Sequence, residues 1–125
     1  LWAAAAGLAL SSCAGAATGG AGNQGGNPDE ISATEIATYP YEDTYQIVQS
    51  ARPAWLRPRI AGTFSSGGPV LPEVFVDGTW FGPIDTLSRI RSASIERIEF
   101  IGATDATTLY GTGYMGGVIH VYTRR

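Results

Sequence analysis

The stretch "GTGYMG", residues 111–116, limits the fold of this chain more than any other. Its glycines at 111, 113 and 116 match the G-x-G-x-x-G pattern of dinucleotide-binding turns. That pattern cradles a pyrophosphate only when a strand leads into it and a helix opens from its last glycine, with an acidic residue about 20 positions further on. Here the order is reversed. Residues 103–110 read as a short helix, and residues 118–123, "VIHVYT", as a β-branched strand. No acidic residue follows Gly116. The glycines therefore read as a helix stop and a tight crossover, where Gly111, Gly113, Gly116 and Gly117 supply conformations closed to other residues. No nucleotide cofactor is expected.

Charge divides the chain in two. All eight basic residues, every one an arginine, and all eleven acids lie at or beyond Asp29. Of the 125 residues, only 29–125 have the mixture of apolar and charged side chains that folds into one domain with a modest core. The net charge of −3 speaks against nucleic acid, whose phosphates demand a basic face.

The uncharged segment reads as an address. "LWAAAAGLAL" is an apolar run ending at Ser11-Ser12-Cys13. It is shorter than the roughly 20 residues a bilayer span needs. Its length suits the apolar core of a secretory signal peptide, so residues 1–12 read as a partial one that lacks the basic n-region. Leu10-Ser11-Ser12-Cys13 resembles the lipobox of bacterial lipoproteins: an aliphatic residue, two small ones, then cysteine. The resemblance implies that the Cys13 thiol takes a diacylglycerol, that cleavage precedes Cys13 and that the new amine is acylated. Several acyl chains on one residue hold a protein durably to a membrane. Cys13 is also the sole cysteine. Residues 13–28 then form the lipidated cysteine and a Gly/Ala-rich tether with a reach of about 20 Å.

In residues 29–125 the expected elements alternate. Ser32-Ala33-Thr34-Glu35 is a capping-box pattern, with the Ser32 hydroxyl on the Glu35 amide and the Glu35 carboxylate on the Ser32 amide. The helix it opens stops at Pro40. Residues 41–51 are predicted as an amphipathic helix with Tyr41, Tyr45 and Val48 on one stripe and Thr44, Ile47 and Ala51 alongside, ended by Pro53. Residues 53–59 run extended or turned, placing Trp55 and Leu56 on the core, and residues 63–69 form a loop. Residues 73–76 and 79–81 form a hairpin through Asp77-Gly78. Residues 83–90 form a short helix with Ile84, Leu87 and Ile90 on one side. Residues 94–101 form a strand with Glu96, Ile98 and Phe100 on one face and Arg97 and Glu99 on the other. The helix at 103–110 takes Thr104 as its N-cap and Gly111 as its stop. The predicted class is α+β, a small mixed β-sheet with short covering helices.

The same residues carry a family resemblance. "IERIEFI" (95–101), "DATTLYG" (105–111) and "GGVIHVYTRR" (116–125) resemble the end of the plug domain of TonB-dependent outer-membrane receptors. "VFVDG" (74–78) resembles that domain's hairpin, and residues 31–36 its opening. The resemblance covers 29–125 and implies a plug-like fold at the outer membrane. Family receptors continue beyond the corresponding point into a membrane β-barrel. A sequence ending at Arg125 is expected not to form a pore, so the expected role is that of a lipid-anchored periplasmic accessory protein. Its partner would be an outer-membrane barrel or a periplasmic protein. The alternative is a small-ligand module serving a separate transporter.

No constellation of catalytic groups converges. His120 is the single histidine and alternates with apolar residues in a strand. Asp77 belongs to a turn, Glu96 and Glu99 occupy opposite strand faces, and Ser65-Ser66 has no base partner. No enzyme activity, metal or cofactor is expected. Trp80, Phe81, Tyr114 and Met115 are the candidate interaction residues. Strand alternation turns either Trp80 or Phe81 outward, while Tyr114 and Met115 sit within the glycine loop. For these four and for Tyr110, core packing is the default reading and an exposed binding patch the alternative.

Overall fold

The computed structural model describes residues 26–60 and 68–125. Cys13, most of the tether and residues 63–67 of the expected loop lie outside them. Ser32 caps helix α1 (Ala33–Ala37), its Oγ accepting the Glu35 amide at 3.2 Å. The other half of the capping box is absent. The Glu35 carboxylate turns instead to the Arg52 guanidinium, at 2.7 and 3.2 Å, because a charged fork outcompetes a neutral amide for a carboxylate.

Helix α2 (Thr44–Ala51) starts three residues later than expected. Asp43 is its N-cap and accepts the Gln46 amide at 2.8 Å, fixing an extended backbone at residue 43. The buried stripe is Thr44, Ile47 and Val48, whereas Tyr41 stays exposed and stacks on Tyr39. Thr44 meets its burial cost by donating its hydroxyl to the Ile90 carbonyl at 2.7 Å. After Arg52 the chain makes a 3-10 turn over Pro53–Leu56, which buries Trp55. A separate two-stranded ribbon of β2 (Arg59–Ile60) and β3 (Pro69–Val70) follows.

The main sheet comprises β1 (Glu30–Ile31), β4 (Glu73–Val76), β5 (Thr79–Pro83), β6 (Ile95–Ile101) and β7 (Val118–Thr123). Their spatial order is β1-β6-β7-β4-β5. Among the described residues only the β4–β7 pair is parallel. β7 is central and covered on both sides, so Val118, Ile119, His120 and Val121 are all buried. Ile119 and Val121 join Val74, Ile98, Ile47 and Leu87 in the larger core, beneath α1, α2 and a 3-10 turn over Ile84–Arg89. On the opposite face Val118, Phe75 and Ile101 pack against Ala106 of helix α3 (Ala103–Tyr110).

Three local expectations are corrected here. Glu96 does not share a face with Ile98 and Phe100: the register with β7 shifts between Ile95 and Arg97, a bulge that leaves Glu96 exposed and returns Ile95 to the core. Helix α3 is capped by Gly102, with no side-chain bond, because the helix begins at Ala103 and places Thr104 inside its first turn. It ends at Gly111 with φ 94°. Gly117 also has a positive φ, 86°, and lies so close to Ile101 that a Cβ would stand 2.7 Å from its carbonyl oxygen. Gly116 serves differently from the expectation. Its φ lies outside the left-handed range, and the need is for space, since a Cβ would collide with the Leu71 carbonyl.

Candidate interaction surface

The hairpin of β4 and β5 turns through Asp77 (φ 49°) and Gly78 (φ 86°), two left-handed residues whose twist matches that of the strands. β7 holds this turn at several points. The Asp77 amide donates to the Val121 carbonyl at 3.0 Å, and the Asp77 carboxylate accepts the Thr123 amide at 3.0 Å and the Thr123 hydroxyl. The hydroxyl bond, then the amide bond, holds the Asp77 carboxyl below its ordinary range. Gly78 donates its amide to His120 Nε2 at 2.8 Å.

That last bond settles the His120 tautomer. Nε2 must offer a lone pair, so the ring proton sits on Nδ1, 3.1 Å from the Tyr110 hydroxyl. The imidazole is buried and stacks on Tyr122 at 4.1 Å. Burial, above all, pushes the His120 pKa down, which favours the neutral ring; Glu99 and Asp77 pull the other way. Burial likewise pushes the Tyr110 hydroxyl up. With both ring nitrogens engaged in structural bonds, His120 fastens the hairpin turn to β7. Among the described residues, no group of three or more His, Cys, Asp or Glu could hold a metal ion.

Phe75 organises the aromatic face. It stacks on Tyr110 at 4.3 Å, meets Tyr114 edge-on at 5.4 Å and pairs across the strands with Trp80. Residues directly opposite on neighbouring strands share a face, so Trp80 lies on the same side of the sheet as Phe75, and Tyr114 reaches that side from its loop through its ring contact with Phe75. Trp80 is 55% exposed, with its indole N–H held by the Glu73 carboxylate at 3.0 Å. Phe81 is 44% exposed as well, against the expectation that only one of the two turns outward. The β4–β5 register shifts at this point and leaves Phe81 as an extra residue beyond simple alternation. Met115 is 57% exposed, while Tyr114 is half-buried against Phe75. Sequence reasoning missed exposed Leu71, whose carbonyl lies against Gly116 beneath this loop, and exposed Leu109 on α3. A leucine before a proline carries no pattern that would mark it. Beside α3 a shallow groove is lined by Asp29, Glu99, Asp105, Thr108, Tyr110 and Tyr122.

The fold has counterparts among solved structures. The ferric enterobactin receptor PfeA in complex with BCV-L6 is 23% identical over 80% of this chain and 18% of its own, with a TM-score of 0.51. A mutant of the same receptor from Pseudomonas aeruginosa, in complex with enterobactin, is 24% identical over 77% of this chain and 17% of its own, with a TM-score of 0.50. The chain thus spans less than a fifth of the length of these receptors. No family model matches the chain. No curated protein matches it either. The likeness establishes a plug-like α+β fold.

Proposed function

We propose that this chain is a non-enzymatic, lipid-anchored accessory protein on the periplasmic side of the outer membrane. Its plug-like domain, residues 29–125, docks a protein partner through Trp80, Phe81, Tyr114 and Met115. The observation that carries this reading is the grouping of Trp80 and the Tyr114-Met115 loop around Phe75, with Trp80 and Met115 more than half exposed. Exposed aromatic and methionine side chains on a rigid strand and loop are the residue types that anchor protein interfaces. A fold shared with a ferric enterobactin receptor supports an outer-membrane setting. Residues 1–12 serve as the signal peptide, Cys13 as the acylated residue and residues 13–28 as anchor and tether.

A photo-crosslinking residue placed at position 80 or 115 tests the surface, with position 50, on exposed Ser50 of α2, as control. One outer-membrane barrel or periplasmic protein is expected from 80 and 115 and not from 50. Equal products from all three positions, or none, refute the docking surface. Cys13→Ala should abolish incorporation of labelled palmitate, and unchanged labelling refutes the anchor. The second reading, a small-ligand module for a separate transporter, is favoured by the groove beside α3. A ligand-dependent rise in melting temperature without any partner would support it over the first.

A further inference from the structure

The chain has one histidine, and its buried ring fastens the hairpin turn that joins the paired strands β4 and β5. Gly78 donates to Nε2 and the Nδ1 proton points to Tyr110. Both bonds are compatible with a neutral ring, but the first fails if Nε2 gains a proton. Two N–H groups would then face each other across what is now a 2.8 Å contact. We propose that His120 is an acid-operated latch: a proton taken from solvent onto Nε2 breaks the bond to the Gly78 amide and loosens from β7 the Gly78 end of the turn, the end that leads into Trp80 and Phe81 of β5.

Every element around the ring contributes to the setting of this latch. From the turn, Asp77 stabilises the charged ring. From β6, Glu99 sits directly across from His120 and also favours the charged form, while Arg97, lying over the Tyr122 ring at 3.9 Å, opposes it. From α3 and β7, Tyr110 and Tyr122 cover the imidazole and keep water from it. From β4, Phe75 is its neighbour in the parallel pair. Desolvation outweighs the two carboxylates, so His120 takes its proton below the ordinary histidine value of 6.5.

The release is local. The turn keeps its Asp77 bonds to Val121 and Thr123 after His120 is protonated. The Asp77 carboxyl is held below its ordinary value of 3.8. Protonation of His120 therefore loosens the Gly78 end of the turn while the charged Asp77 still holds the other. The latch is a property of the hairpin and does not depend on what Trp80 and Phe81 contact.

The test is nuclear magnetic resonance on the full chain, following the single imidazole and the Gly78 amide from about pH 8 downward through the midpoint of the ring. At high pH, Nε2 should resonate as an unprotonated acceptor and Nδ1 as an N–H. As the ring titrates, the hydrogen-exchange protection factor of Gly78 should fall by about tenfold, the worth of one such bond, with the same midpoint. His120→Gln, whose side-chain carbonyl can accept the same amide, should hold Gly78 protection constant through this range. Glu99→Gln keeps an acceptor for Tyr122 but removes the charge, and should move the ring and Gly78 midpoints to lower pH together. The proposal is overturned if the ring titrates while Gly78 protection stays constant. It is equally overturned if the Gly78 midpoint stays in place while Glu99→Gln moves that of the ring. The Glu99→Gln comparison decides the matter even if His120→Gln does not fold.

Discussion

The Arg52 guanidinium grips the Glu35 carboxylate at 2.7 and 3.2 Å, joining the end of α2 to α1. The same side chain donates to the carbonyls of Pro28 and Glu30, so one arginine ties the entry of the domain to its first two helices.

Arg52→Ala should therefore cost about 2 kcal/mol, more than a lone surface ion pair, because it takes a donor from three carbonyls, those of Pro28, Glu30 and Ala51, along with a carboxylate. Arg52→Lys should recover less than half of that loss, since an ammonium cannot reproduce the planar fork. Urea midpoints of both variants and of Glu35→Gln measure these differences. A cost for Arg52→Ala equal to that of Glu35→Gln would show that the carbonyl bonds contribute nothing.

Gly117→Ala should destabilise the domain by about 3 kcal/mol or more, combining left-handed strain with a collision at Ile101 and the Phe100 ring. Gly113→Ala shares the positive φ but meets open space, so its cost should stay near 1 kcal/mol. Equal losses in denaturant midpoint for the two would mean that backbone conformation alone matters.

Asp77 links stability to acid. Its folded pKa is depressed, so its contribution is fully present above the ordinary value of 3.8 and is lost as pH falls through the folded value. Wild type should thus exceed Asp77→Asn in urea midpoint at about pH 5, with the gap closing towards about pH 2. A gap that persists unchanged at the acid end contradicts the assignment.

Trp80→Ala combined with Met115→Ala should change stability by no more than about 1 kcal/mol, because both side chains are over half exposed. The same double substitution should reduce partner crosslinking from an adjacent probe at Phe81 by at least tenfold, about 1.4 kcal/mol of binding. Unaltered crosslinking would remove these residues from the interface.

Local patterns made much of this fold legible. The β-branched run 118–123 and the helix at 103–110 coincide with β7 and α3 because both are dictated by short-range periodicity and a glycine stop. The elements misread were set by distant partners. Glu35 bonds Arg52, 17 residues away, in preference to its own capping box. The Ile95–Arg97 shift exists only relative to β7, so alternation along β6 placed Glu96 on the wrong face. The two-residue strand β1 is too short to have a period and is defined by its pairing with β6. At the surface, apolar type singled out Trp80 and Met115, but the fastening role of His120 depends on the Gly78 amide, 42 residues earlier.

The position of β7 has a temporal consequence. It follows every other strand of the sheet in sequence yet lies between β6 and β4 in space, and those two strands have no pairing with each other. Until residues 118–123 leave the ribosome, the described residues of the main sheet can form only the β1–β6 pair and the β4–β5 hairpin, each marginal alone. Assembly of the sheet is thereby postponed until β7 is present to join its two halves.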